Sequence, residues 1–398
     1  MKFPISLLLT ALTLFISSVQ ADTLYSTGSS TWDTSTSNWG TSTGGPYNTT
    51  SWNNATPDNA IFEGTGGGTI TLAETITSAN LTFTNTDSSS FTISGHTLNF
   101  GTGSVIANSD NRSWQTITSA ITGRPAVETK DNGAGNQYKG IRFQPSSGTV
   151  SLGEILNPNN TGSTDKAGFS MAGTTVGNSA GNITYASNDR YGTVYKEDSG
   201  TWTTGNITTG TVSIYDGTLI VNGTVDLRYK SLYITGGTLS GNATIYKVDR
   251  RESFNFVSGT SIAPGDGVGS ITFDWGTSGS PNASQWTTAF RTGMTYEWEV
   301  GSNVNDTVHI EDGRLIMEGL TFKVKNAGGV LNPDTQYPIL TYGSLDSKTL
   351  SLASIIIDVS EYDSTLDTTT ASFVDNGSGT IYLTGLGRKP NGTIFKIE

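Results

Sequence analysis

The sequence predicts an all-β chain built around a parallel β-helix of about 20 residues per coil, with β-rich N- and C-terminal caps. Three observations lead there. Gly, Ser, Thr and Asn dominate the composition, with 49 Gly alone, and all four are weak helix formers. Apolar residues recur two apart between Gly, Asn and Asp, which is the period of a strand with one buried face. One block of the chain also repeats itself, residue for residue, twenty positions later. Disorder is excluded by the 8 Trp, 15 Tyr and 15 Phe, because disordered chains are poor in aromatic residues.

The elements follow in chain order. Residues 1–21 read as a signal peptide: Lys2 gives a positive start, Ile5 to Ile16 is mostly apolar, and Val19-Gln20-Ala21 has the small-x-small form of a cleavage site. The competing reading, an uncleaved anchor, is disfavoured because the apolar run falls short of the ~20 residues that span a bilayer. No later segment is long and apolar enough to cross as a helix, so an exported chain beginning at Asp22 is expected, without a transmembrane helix. Residues 22–64 carry Trp32, Trp39 and Trp52 among small polar residues and are expected to cap the helix. A β-helix needs such caps, because its last coil exposes an open edge and an apolar core.

Residues 65–275 are the expected β-helix. Ile70 and Leu72, Leu81 and Phe83, Phe91 and Ile93, Leu98 and Phe100, then Val150 and Leu152 mark short strands. Val212, Ile214, Leu219 and Val225 are followed twenty positions later by Leu232, Ile234, Leu239 and Ile245, with the turns Gly217-Thr218 and Gly237-Thr238 in step. Three short strands per repeat is the requirement of a parallel β-helix, whose inward residues stack from coil to coil. A β-sandwich competes, but does not require recurrence at a fixed offset. The next repeat slips by two, placing Phe254, Phe256 and Gly259 opposite Leu232, Ile234 and Gly237. A weaker echo at 21 residues sets Ile70 and Leu72 against Phe91 and Ile93. The charged run Lys247 to Glu252 is expected to be a solvated corner. From 276 to 398 longer alternating strands such as Tyr296 to Val300 suggest the C-terminal cap.

Composition also narrows function. A net charge of −12 removes the electrostatic term that nucleic-acid binding needs. Zero Cys and 2 His leave no thiolate chemistry and little for a metal site, so no cofactor is expected. Glu297 and Glu299 lie two apart on one strand face, about 6–7 Å from each other, near the separation of an inverting glycosidase pair. The competing reading is a polar surface with similar solvation at both, leaving nothing to separate their pKa values. Asp249, Arg250 and Arg251, with Arg228 and Lys230 one coil earlier, form the grouping most like a polysaccharide-lyase site; a solvated corner explains them as well. Asp266 in an Ala-Pro-Gly-Asp-Gly run hints at calcium but lacks the tandem Gly-Gly-x-Gly-x-Asp copies, and a tight turn is expected. His96 and His309 have no partner His. Asn48, Asn206 and Asn222 open Asn-x-Ser/Thr triplets that the composition alone accounts for. Trp32, Trp39 and Trp52 are core-formers of a small cap or, alternatively, sugar-stacking rings.

The segments "VSIYDGTLIVNGTV", "LYITGGTLSGNATI", "SGTSIAPGDGVGSITFDW", "MTYEWEVG", "DTVHIEDGRLIMEGLTFKV" and "QYPILTYGSL", with "STWDTSTSNWG" and "SWNNATPDNAIFEG" near the start, resemble the autotransporter-associated β-strand repeat proteins of bacterial surfaces. The resemblance covers roughly residues 32–84 and 211–386. It implies a secreted, right-handed β-helical passenger with a structural or surface role and no known reaction. A membrane barrel or a Pro-Glu-Pro sorting tail, found in such proteins, does not follow Leu386 in this sequence.

Two functions are therefore expected to compete. One is a non-enzymatic secreted or cell-surface structural and adhesion protein, with surface glycans or matrix polysaccharide as its partners. The other is a polysaccharide-active lyase or hydrolase, or a glycan-binding protein, on the same scaffold. A groove with three converging carboxylates and a basic residue favours the enzyme; an evenly polar Thr, Ser and Asn surface favours the scaffold.

Overall fold

The structure, a computed structural model, describes residues 21–84, 90–101, 103–109, 113–131, 140–158, 168–186, 192–227, 231–247, 254–276, 287–302, 304–363 and 366–388. Its regular secondary structure is nearly all strand, and the strands wind into a parallel β-helix with three faces. The central coils show the order. Thr211–Ile214 lies on one face, called the second; Thr218–Val221 lies on the third; Gly223–Leu227 lies on the first. The next coil repeats the sequence with Leu232–Ile234, Gly237–Gly241 and Ala243–Lys247. Each strand is short because its inward alternating residues fill a narrow core and a turn must follow.

The predicted stacking is present. Ile214 pairs with Ile234, Leu219 with Leu239 and Val225 with Ile245, all on adjacent coils and all buried. Burying each such side chain contributes about 1.5–3 kcal/mol relative to leaving it in water. The repeated turn has a steric cause. Gly217 and Gly237 adopt φ of 67° and 71°, and a Cβ on Gly217 would lie 2.4 Å from the carbonyl oxygens of Asp198 and Gly200. Only Gly takes both the conformation and the contact without strain.

Two registers differ from expectation. Ile70 pairs with Ile93 and Gly68 with Phe91, so that offset is 23 and not 21. Phe256 does lie opposite Ile234, but Thr260, not Gly259, lies opposite Gly237. At Ile70 the difference is two residues, and an alternating strand matches itself equally well after such a shift, so the apolar pattern fixes the face and leaves the register to turn length. At Gly237 it is one residue, added in the turn between Phe256 and Thr260. Coil length varies for the same reason. Hydrogen-bonded neighbours on successive coils are 18 residues apart at Thr224 and Asn206, 20 at Asn242 and Asn222, 28 at Ser151 and Ser179, and 37 at Gly269 and Asp306. The extra residues enter between strands, where a β-helix tolerates them.

The parallel ladders also overrun both expected boundaries. Thr23–Ser26 and Ser30–Trp32 already pair in parallel with Asn59–Phe62 and Gly68–Leu72. Thr295–Val300, placed by the sequence in a cap, pairs in parallel with Thr260–Pro264 and with Thr321–Asn326, which pairs in turn with Ile356–Asp358. Antiparallel closure comes only afterwards, where Thr380–Thr384 pairs with Tyr337–Ser351 and Ser372–Asp375. Longer strands in this region, such as Thr307–Glu318, run across two faces and so read as a change of architecture.

Corners are held by polar groups. Asn182 Oδ1 accepts the Asn206 N–H, Asn206 Oδ1 that of Thr224, Asn222 Oδ1 that of Asn242, and Asn242 Oδ1 that of Ser270. Each of these side chains satisfies a backbone donor left over where the strand ends. Lys196, fully buried, does the converse: its Nζ donates to the carbonyls of Glu197, Asp198 and Asp216 at 2.8, 2.5 and 2.9 Å. Burial pulls its pKa down to about 8, against the pull of the Asp216, Asp198 and Glu197 carboxylates. Unfolded, the same amine titrates near 10.4, so the pH-dependent part of its stability contribution is fully present above that value and is lost as pH falls through about 8, while its three hydrogen bonds remain. Lys196→Met, leaving the carbonyls unpaired, is expected to lower unfolding free energy by about 1–3 kcal/mol at pH 7. Denaturant titrations should show the gap from wild type widening between pH 8 and 10; a gap that stays flat would contradict the buried amine.

Lys247 corrects a further expectation. It is buried, not solvated, with its Nζ 5.4 Å from the Trp275 ring centroid, 5.8 Å from that of Phe254 and 3.4 Å from Ser231 Oγ. A long apolar stem and the attraction of a cation to aromatic faces make this placement tolerable.

Candidate functional site

Glu297 and Glu299 point the same way from Thr295–Val300, as the strand period requires, but they do not lie on an open surface. They are half-buried in a cleft of about 270 Å³ on the third face, shared with Asp266, Asp306 and Lys325. Lys325 comes from the neighbouring strand Thr321–Asn326, and its Nζ lies 2.9 Å from Glu297 Oε2. Burial pulls the Lys325 pKa down, but the Glu297 contact and the charges of Glu297, Glu299 and Glu361 outweigh it, so the ammonium is held above its ordinary value. Glu299 Oε2 is buried without a hydrogen-bond partner among the described residues.

Asp306 is the member that sequence reasoning missed. It sits in a polar Ser-Asn-Val-Asn-Asp run that reads as loop, yet it is fully buried. Its Oδ1 accepts the Gly269 N–H and its Oδ2 the Glu299 N–H, both at 2.8 Å, while its carbonyl accepts the Trp298 indole N–H at 2.8 Å. Burial raises its pKa to about 7, the Glu299 charge adds to that, and the two N–H donors and Lys325 oppose it. Sequence reasoning weighed the two glutamates alone; the structure adds a third carboxyl, brought in from beyond the strand and fully buried beside them.

Four carboxyl groups and a lysine line the cleft, which meets the composition expected of an enzymatic groove. Their engagement limits what they can do. A general acid or base must reach the substrate within hydrogen-bonding distance. Asp306 has no exposed surface and both its oxygens are taken; Glu297 is neutralised by Lys325. Among the described residues no group of three His, Cys, Asp or Glu side chains is placed to hold a metal ion.

Asp266 apart, the other predicted residues that the structure describes lie away from the cleft. Arg228, Lys230, Asp249, Arg250 and Arg251 lie outside the described residues, as does nearly all of the signal-peptide segment. Asp266 occupies a tight turn flanked by Gly265 and Gly267 at φ of 91° and 95°. His96 is exposed at a corner. His309 bridges Thr341 Oγ1 at 2.7 Å and Glu311 Oε2 at 2.8 Å. Asn48 is exposed, and Asn206 and Asn222 belong to the corner ladder. Trp32, Trp39 and Trp52 are 0–2% exposed and pack with ring centroids 4.8–5.0 Å apart, so they form the core of the first coil and present no face to a sugar.

No protein-family model matches the chain, and no curated protein matches it either.

Proposed function

We propose that the protein is a non-enzymatic, exported scaffold of the cell surface or extracellular matrix, which presents a long rigid β-helical face for adhesion. The observation that carries this reading is the unbroken stack from Thr23 to Asp358, in which the core is continuous and polar side chains are spent on corners and rungs. The third face shows the pattern on its outer side. Thr201, Thr218, Thr238, Ser261, Thr295 and Thr321 stand in one column, each opposite the next. This column is polar and uncharged, with the acidic cleft beside it on the same face, and it suits contact with hydrated polymer. The leader-like residues 1–21 support export.

The acidic cleft favours a second reading, glycan cleavage. The engaged state of Asp306 and Glu297 weighs against it. Both readings meet in one assay: chain collected from the medium, with its N-terminus at Asp22, is incubated with neutral and acidic polysaccharides with and without calcium. The expected result is no reducing-end release and no unsaturated product. Release that disappears in a Glu297→Gln, Glu299→Gln double variant with native circular dichroism would replace the scaffold reading with the enzymatic one.

A further inference from the structure

The outer side of the second face differs from the third. Arg142, Ser170, Tyr195, Ser213 and Tyr233 form one column, each opposite the next on the following coil. At the spacing of adjacent strands, four rungs extend about 19 Å. Tyr215 stands beside this column with its ring 6.3 Å from that of Tyr195 and nearly parallel to it, at 17°. Trp114 meets Tyr195 edge-on at 5.6 Å, and the Arg142 guanidinium lies 5.3 Å from the Trp114 ring. Tyr215 and Tyr233 are 48% and 46% exposed, the two aromatic side chains among the exposed large hydrophobics of the described residues.

Fixed polar groups border the rings. Arg142 Nη2 lies 2.5 Å from Glu197 Oε2, and the same oxygen accepts the Ser170 hydroxyl at 2.6 Å. Gln144 Nε2 and the Gly173 N–H both donate to Asp198 Oδ2 at 2.9 Å. Arg142 Nε is buried without a hydrogen-bond partner among the described residues.

We infer that this strip is a binding site for a neutral glycan chain lying along the coil axis. Aromatic rings offer a large, stiff contact surface at low entropic cost, and the C–H faces of pyranose rings are the sugar surfaces that stack on them. The paired guanidinium and carboxylate, side by side and locked in place, present a donor and an acceptor to neighbouring hydroxyls without first being ordered. Charge selects against an acidic polymer. Arg142 is matched by Glu197, Asp198 adds a negative charge, and the whole chain stands at −12. The strip's length fits an extended polymer and exceeds what one sugar covers. This site deepens the scaffold reading, on which it rests only in that the glycan is held and not cut.

The test is calorimetric titration of the full secreted chain with cellohexaose, xylohexaose, mannohexaose and, for contrast, hexagalacturonate. At least one neutral hexaose should bind and hexagalacturonate should not. Tyr215→Ala and Tyr233→Ala should each weaken binding about tenfold, Tyr215→Phe should retain it, and Arg142→Met should weaken it while leaving ring stacking intact. Both tyrosines are half-exposed, so circular dichroism should show native folds. Failure of every neutral hexaose to bind would overturn the site, as would binding that survives the Tyr215→Ala, Tyr233→Ala double variant or a preference for hexagalacturonate. Chromatography of the same samples separates the two readings: shortened glycan would overturn the scaffold reading while supporting the site.

Discussion

Ile234→Asp is expected to cost at least about 4–5 kcal/mol of stability, the range reserved for a buried unpaired charge or a broken core. Ile234 is 4% exposed and lies between Ile214 on one coil and Phe256 on the next. The substitution removes the apolar burial of the isoleucine and puts a carboxyl among side chains that offer it no partner. Each coil of a solenoid touches only its neighbours, so damage at one rung splits the stack into two segments that no longer support each other. Denaturant unfolding should shift to a lower midpoint or become biphasic, and limited proteolysis should cut near residues 230–250. Ile234→Val, which keeps the surface apolar and loses one methylene, should cost only about 0.5–1.5 kcal/mol. A melting temperature unchanged by the aspartate would contradict the stacked core.

Asp306→Ala is expected to cost about 3–5 kcal/mol at pH 5, from two buried N–H groups, those of Gly269 and Glu299, left without acceptors. These donors belong to different coils, so one carboxyl ties the 264–269 turn to the strand end at Glu299. The cost depends on pH, and its sign follows from the raised pKa. Folded, Asp306 holds its proton up to about pH 7; unfolded, it releases it near 3.9. Its contribution is fully present below the unfolded value and is lost as pH rises through 7. The gap between wild type and Asp306→Ala should therefore be widest near pH 4 and shrink toward pH 8. A gap that grows with pH would show the carboxyl to be charged and stabilising throughout.

Much of the fold was legible because β-helix cores are written locally. Where coils have equal length, as between Val212 and Ile245, inward residues and turn glycines fall in step, and counting finds the partners. The rule failed where a coil gained residues, at Ile70 with Ile93 and at Gly237 with Thr260. The candidate cleft was half legible. Glu297 and Glu299 were placed on one strand face, but Asp306 carries no signal in a polar run, and its burial is decided by the Gly269 turn packed against it.

By itself the sequence determined the strand class, the inward face of each strand and the twenty-residue stack, because alternation and turn glycines are properties of a few consecutive residues. Only the tertiary structure decided how far the parallel ladders run and which side chains share a face. Arg142 meets Glu197 across 55 residues, and Asp306 meets Gly269 across 37. Such meetings depend on the lengths of the intervening coils, and a two-residue change in any of them leaves the apolar pattern intact while moving every outward group to a new neighbour.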